Sequence, residues 1–328
     1  MHHKPILIVP GQINSIFFEI FFKSLKKKKF RSPLVLICWI EIFKASAKKY
    51  KFKGNYRIIT SKINEVKLNN KSINIIDVNF NENKQKNYHQ NKLNINYLLR
   101  CFSIAFEIIE NKFTHKFLNG PINKKNFLNK KYLGITEFIS SRFKKNSTGM
   151  LIYNKNLSVC PLTTHLPVKL ISKNISKKKI HNKLKMINDF YLKIFKFKPK
   201  IAVVGLNPHC ESILKFNEDE KIVTPAIRFS KKNNILAYGP YSADTIFLKQ
   251  NRKKFNVILG MYHDQVLTPL KTLFEYDAVN VTMGLSFLRV SPDHGPNENM
   301  INKNMSNPIS LIKSLEFLDK HWLKQKKV

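Results

Sequence analysis

The chain has 328 residues, 43% of them hydrophobic, which is enough to bury a sizeable core and long enough for two domains. Its four cysteines, Cys38, Cys101, Cys160 and Cys210, stand singly with no CxxC pair, which excludes a zinc ribbon or disulfide framework and fits a reducing cytosol. The formal net charge is +37, yet only seven of the 58 basic residues are arginines and the lysines are spread along the chain, so we read the charge as drift toward AT-rich codons, not as a specific nucleic-acid surface.

Ile6–Pro10 reads as a first strand, closed by Gly11, and a helix follows near Ile16–Lys26. Leu34–Trp39 reads as a second strand, with a helical stretch after it. The apolar stretches Ile16–Phe22 and Pro33–Phe43 are interrupted by Glu19 and Glu41 and are too short to span a bilayer, and no signal peptide is visible. Residues 57–95 are polar, with a strand-like piece at Ile73–Val78, and Tyr97–Asn111 carries apolar residues at helical spacing. Gly120-Pro121 breaks the chain after it. Met150–Tyr153 and Leu157–Pro161 read as two strands joined by the turn Asn154-Lys155-Asn156, and Lys169–Phe197 as a long helical region. Lys200–Leu206, Asn256–Met261 and Ala278–Met283 read as further buried strands. Strands alternating with helices predict an α/β fold, with a mostly parallel sheet covered on both faces.

The chemistry-bearing residues follow the carboxyl ends of predicted strands, where open α/β sheets place their ligands. Three such loops each present a histidine: His165 in Thr164-His165-Leu166-Pro167, His209 in Asn207-Pro208-His209, and His263 in Tyr262-His263-Asp264-Gln265. Imidazole suits zinc and related metals, and three protein ligands with open positions are the usual catalytic arrangement. A single such histidine would read as structural; three at equivalent strand ends read as a metal centre. Asp244 is an acid candidate, balanced between base or metal duty and capping a helix that begins near Thr245. Lys271, Asn280 and Arg289 form a cationic and polar group in the last third. An arginine kept in a lysine-rich chain suggests a planar fork for phosphate or carboxylate.

Taken in order, Gly120-Pro121-Ile122-Asn123-Lys124, Gly134-Ile135-Thr136-Glu137-Phe138, Thr164-His165-Leu166-Pro167, Gly205-Leu206-Asn207-Pro208-His209, Ala243-Asp244-Thr245-Ile246-Phe247, Tyr262-His263-Asp264-Gln265 and Ser291-Pro292-Asp293-His294-Gly295 resemble the 4-hydroxythreonine-4-phosphate dehydrogenase family over essentially the whole chain. The resemblance implies two α/β/α domains of the isocitrate/isopropylmalate dehydrogenase-like fold with an active-site cleft between them. One would comprise 1–125 plus 286–328, on the nucleotide side; the other would comprise 126–285, on the metal and dimer side. It implies a cytoplasmic homodimer in which His165 and His209, with His263 of the partner subunit, bind one divalent ion (zinc, magnesium or cobalt). Thr136, Lys271, Asn280 and Arg289 match the substrate-contacting positions, and His294 and Gly295 would lie near the nucleotide, NAD or NADP. The implied reaction oxidises 4-phosphooxy-L-threonine to 2-amino-3-oxo-4-phosphooxybutanoate. That product loses carbon dioxide to give 3-amino-2-oxopropyl phosphate, in vitamin B6 biosynthesis. Asp244, or a metal-bound water it orients, is the expected base, and Lys271 is the second catalytic candidate.

The chain departs from the family in three places. The glycine-rich turn after the first strand is Gly11-Gln12-Ile13-Asn14-Ser15-Ile16-Phe17-Phe18-Glu19, a substrate-binding histidine is Ile135, and the segment after Gly295 is Pro296-Asn297-Glu298-Asn299-Met300-Ile301-Asn302. These departures keep two alternatives in view: a metal- and NAD-dependent dehydrogenase of a related phosphorylated hydroxy acid, and a basic binding protein on a weakened enzyme scaffold.

Overall fold

The computed structural model of the chain describes residues 3–80, 90–122, 134–144, 147–213, 216–293, 295 and 297–321. They divide into two compact units, Met1–Phe143 with Leu285–Val328, and Lys144–Gly284. The strands in chain order are β1 Ile6–Val9, β2 Leu34–Cys38, β3 Tyr56–Ile59, β4 Ile73–Asp77, β5 Lys116–Asn119, β6 Gly149–Tyr153, β7 Ser158–Thr163, β8 Ile201–Val204, β9 Ala237–Tyr241, β10 Val257–Tyr262, β11 Val279–Met283 and β12 Leu288–Pro292.

The first unit orders its strands β3-β4-β2-β1-β5-β12, all parallel. Parallel strands covered on both faces read as continuous apolar runs, and every residue of β1 and β2 is buried. Helix Phe17–Lys27 buries five apolar residues, Phe17, Phe18, Ile20, Phe21 and Phe22. Helix Gln90–Glu110 buries Leu98, Cys101, Phe102, Ala105 and Phe106 at helical spacing. Phe102 meets Phe117 edge-on at 5.8 Å and Phe138 at 5.6 Å. Each such ring contributes roughly 1.5–3 kcal/mol of burial. Helix Ile135–Arg142 belongs to this unit because Ile135 and Ile139 are buried in the same core.

The second unit orders its strands β11-β6-β7-β10-β8-β9. β7, β10, β8 and β9 run parallel, and β6 is antiparallel to both of its neighbours. Its long helix is Lys177–Ile194, shorter than the predicted Lys169–Phe197. Ser176 caps it by accepting from the Lys179 amide at 3.3 Å, and two 3-10 turns precede the cap.

The turn that lost its glycines is held by other means. Gly11 keeps φ at +91°, and a Cβ there would lie 2.2 Å from the Pro121 carbonyl oxygen, so this one glycine is required. Beyond it, Ser15 Oγ donates to the Gln12 carbonyl at 2.9 Å, and Gln12 Nε2 donates to Glu298 Oε1 at 2.8 Å. Two segments that depart from the family therefore bond to each other. Asn297 and Asn302 take φ of +49° and +73°, which asparagine tolerates better than most non-glycine residues.

β5 carries a buried cation that the apolar pattern does not announce. Lys116 is 2% exposed and donates from Nζ to Ser32 Oγ at 3.1 Å. Burial lowers its pKa to about 8, against an upward pull from Asp319. Below pH 8 both folded and unfolded chains hold this proton. Between about 8 and the ordinary 10.5 the unfolded chain binds more protons, so this group makes stability rise with pH there. Lys116→Met is expected to be more stable than the parent at pH 7 by roughly 3 kcal/mol, with the gap closing toward pH 10.5. Urea denaturation across that range checks it, and a gap independent of pH would contradict the assignment.

Candidate active site

β7, β10 and β8 are adjacent and parallel, with Tyr262 beside Thr163 and Leu259 beside Val203. Their carboxyl ends therefore emerge side by side, and the loops after them carry His165, His263 and His209. The ring centroids of His165 and His263 lie 5.9 Å apart within one chain, close to what two imidazoles sharing an ion at about 2.1 Å each require. His209 stands on the neighbouring loop and is exposed. Among the described residues, no group of three or more His, Cys, Asp or Glu side chains is close enough to hold an ion. The structure thus sets His263 of the same chain beside His165, where the resemblance implied the partner subunit's His263, and leaves His209 outside the pair. His165 and His209 both adopt left-handed backbone, φ +56° and +55°, an uncommon conformation that clusters at functional loops.

Hydrogen bonds tie these strand ends together. Thr163 Oγ1 donates to the Met261 carbonyl at 2.7 Å, linking β7 to β10. Gln265, nearly buried, accepts from the Met261 amide and donates to the Gly205 carbonyl, both at 2.7 Å, linking β10 to the end of β8. Asp219, 1% exposed, accepts from the amides of Leu206 at 2.6 Å and Asn207 at 2.9 Å, and from Asn207 Nδ2 at 3.1 Å. That carboxylate satisfies two backbone donors and one side-chain donor of the turn leading into His209. His263 Nδ1 lies 2.7 Å from Asp264 Oδ1, the carboxylate contact that commonly orients a ligating imidazole and leaves the other nitrogen for a metal. Asp219→Asn is expected to cost about 2–3 kcal/mol, because the amide cannot accept from every donor it faces. Urea denaturation measures this; a loss below the error of the titration would show the turn to be held otherwise.

Asp244 lies in the first turn of the short helix Ala243–Ile246, whose N-cap is Ser242. It is therefore not the cap of a helix starting near Thr245, and it is exposed. Its charge acts on the Cys210 thiol, whose pKa is raised by burial, then by Asp219, with a smaller push from Asp244. Asp244 therefore stands near the His209 loop.

In the second unit Lys271 projects from helix His263–Phe274 and is exposed. Asn280 sits on β11 opposite Ile152. Its Oδ1 is buried with no hydrogen-bond partner among the described residues, the kind of orphaned acceptor that a bound molecule would satisfy. In the first unit Arg289 on β12 is 3% exposed. Its Nε donates to Asn119 Oδ1 at 2.8 Å, and its guanidinium reaches Thr136 Oγ1 at 3.4 Å. Burial lowers its pKa to about 10, opposed by Glu137, so it stays charged at neutral pH. Ile135, where the family has a histidine, is 6% exposed and packs into the core, so it offers no polar contact to a ligand. His294 lies outside the described residues, as do Asn123 and Lys124 of the Gly120-Pro121 motif; Gly295 is described but exposed.

Sequence reasoning did not single out Asn119, Thr163, Asp219 or Gln265. Asn119 directly precedes the recognised Gly120-Pro121 break, and Gln265 closes the Tyr262-His263-Asp264-Gln265 stretch, so position alone could have flagged both.

The second unit thus carries imidazoles on adjacent strand-end loops, an exposed lysine and an orphaned amide oxygen, and the first a buried guanidinium, the groups an α/β enzyme uses toward small anions. The profile of the pyridoxal phosphate biosynthetic protein PdxA family matches residues 30–318. The 4-hydroxythreonine-4-phosphate dehydrogenase of Sulfurihydrogenibium sp. is 34% identical over 94% of both chains, and that of Aquifex aeolicus is 33% identical over 97% of this chain and 98% of its own. The D-threonate 4-phosphate dehydrogenase of Salmonella typhimurium is 33% identical over 60% of this chain and 61% of its own. A solved 4-hydroxythreonine-4-phosphate dehydrogenase from Klebsiella pneumoniae superposes with a TM-score of 0.82 at 26% identity, covering 96% of this chain and 98% of its own. The chain belongs to the PdxA family, a family of phosphorylated hydroxy-acid dehydrogenases. Among the described residues no helix is long and apolar enough to cross a membrane.

Proposed function

We propose that the chain oxidises 4-phosphooxy-L-threonine with NAD or NADP, giving 2-amino-3-oxo-4-phosphooxybutanoate and then, by loss of carbon dioxide, 3-amino-2-oxopropyl phosphate, in vitamin B6 biosynthesis. The observation that carries this reading is the set of three histidines on three adjacent strand ends, two of them 5.9 Å apart. His165, His209 and His263 would hold one divalent ion, zinc, magnesium or cobalt; bound there, it would supply Lewis acidity toward the substrate's oxygens.

The chain's own residues supply the rest. Arg289, charged and pre-aligned by Asn119, grips a phosphate or carboxylate oxygen, with the Thr136 hydroxyl beside its guanidinium. Lys271 offers an ammonium to an anionic group, and Asn280 Oδ1 accepts from a substrate hydroxyl or ammonium. Asp244, on the helix after β9, takes the hydroxyl proton directly or through a water; NAD or NADP, when bound, would supply the hydride acceptor. The ketone so formed lies β to the carboxylate, and carbon dioxide departs as the bonding pair moves toward that ketone. Gly295, with His294, is assigned to the nucleotide.

The reading includes a homodimer, as the family resemblance implies. Analytical ultracentrifugation tests that part.

One observation favours a second reading. Ile135 withdraws a polar contact from the substrate site, and D-threonate 4-phosphate dehydrogenases are among the relatives. Steady-state NADH formation from each substrate separates the two. A higher kcat/KM for 4-phosphooxy-L-threonine supports the first; a higher value for D-threonate 4-phosphate replaces it with the second.

A further inference from the structure

β8 and β10 separate just before the loops that carry His209 and His263. Their last paired residues are Val203 and Leu259. β8 ends at Val204, while β10 runs on to Tyr262, where it lies beside Thr163 of β7. Past the point of separation, the Gln265 side chain joins the two backbones. Its Oε1 accepts from the Met261 amide of β10, and its Nε2 donates to the Gly205 carbonyl that follows β8, both at 2.7 Å. A carboxamide offers one carbonyl and one amide donor in opposite directions, as a peptide unit of an intervening strand would.

A glutamine in the first turn of a helix commonly reaches back to an amide at the helix start. That accounts for Oε1, since Gln265 is the third residue of helix His263–Phe274. It does not account for Nε2, which crosses to the end of another strand. The peptide that Nε2 grips is held from its other side as well. Its carbonyl is that of Gly205, and its N–H, that of Leu206, donates to Asp219 Oδ1 at 2.6 Å. Two buried side chains therefore clamp one peptide unit, four positions before His209. The packing around the carboxamide is equally close. A Cβ on Gly260 would lie 2.4 Å from Val266 Cγ1 and 3.1 Å from Gln265 Oε1, so glycine is what lets this turn fold back onto β10.

We propose that the Gln265 carboxamide is a spacer that fixes the distance between the His209 and His263 loops, which makes Gln265 a positioning residue for the divalent ion. This rests on the reading of His165, His209 and His263 as ligands. Both the length of the side chain and its two hydrogen bonds matter, because each end must reach a backbone group that cannot move toward it.

The test titrates the metal-free full chain with cobalt against a chelator and records the visible absorption of the bound ion. Gln265→Met keeps the length and loses the hydrogen bonds; Gln265→Asn keeps a carboxamide and loses the length. Each is expected to weaken cobalt binding by roughly tenfold to a hundredfold and to shift the absorption bands, because the ligands no longer converge as before. Should Gln265→Met not fold, Gln265→Asn decides. The control is Tyr191→Phe, which removes a buried hydrogen bond to Ser158 Oγ at 2.9 Å, at the start of β7 and away from the site. It is expected to lower the urea midpoint while leaving cobalt affinity and absorption unchanged. Folded Gln265 variants with the parent's affinity and absorption would overturn the spacer role while leaving the metal reading intact. An equal loss of affinity in Tyr191→Phe would overturn it too, by showing that general loosening suffices. A parent that binds no cobalt would overturn the metal reading, and the spacer role with it.

Discussion

His209→Ala is expected to abolish tight metal binding and to lower kcat/KM by more than about a hundredfold, the range that changes to a ligand's supporting groups alone can reach. His209 is exposed on the loop after β8 and contributes nothing to either core, so the fold should persist. The turn that carries it is anchored independently, by Asp219 at the Leu206 and Asn207 amides. Metal content after dialysis, read beside the urea midpoint, separates the two effects. Full metal content in a folded variant would remove His209 from the site, leaving only the His165 and His263 pair that the geometry shows directly.

Arg289→Lys is expected to cost kcat/KM roughly a hundredfold or more, because the guanidinium's contacts with Asn119 and Thr136 are lost while a positive charge is nominally kept. The second consequence concerns pH. The desolvation that brings the arginine to about 10 leaves it charged throughout the working range. A lysine in the same buried place starts lower and would shed its proton near or below about pH 8. The variant's kcat/KM should therefore fall as pH rises through that region, relative to the parent. A pH-independent ratio would mean that Arg289 acts through shape and not charge.

Much of this fold was legible in the sequence, and the unread parts have physical reasons. β1, β2, β8 and β10 are buried on both faces and present unbroken apolar runs. β5 was missed because Lys116 opens it and Asn119 closes it, both buried. β9 was missed because Gly239 and Pro240 interrupt it, which only an edge strand accommodates. β3 is the edge strand of the first unit, with alternating exposure.

The histidines were found because strand ends are where such folds put their ligands. The residues that hold those ends could not be found in that way. Asp219 and Gln265 act on backbone amides and carbonyls, which leave no trace in side-chain pattern. The Gln12–Glu298 bond joins residues 286 apart in sequence, and only the folded chain shows that two departures from the family support each other.

The most direct measurement follows NADH absorbance after metal-stripped protein is mixed with NAD and 4-phosphooxy-L-threonine, before and after cobalt, zinc or magnesium is added. The account predicts no absorbance gain without metal. On addition of one of the three ions it predicts a steady gain, with one carbon dioxide released per NADH. No NADH with any of the three, or NADH formed at the same rate without metal, would contradict it.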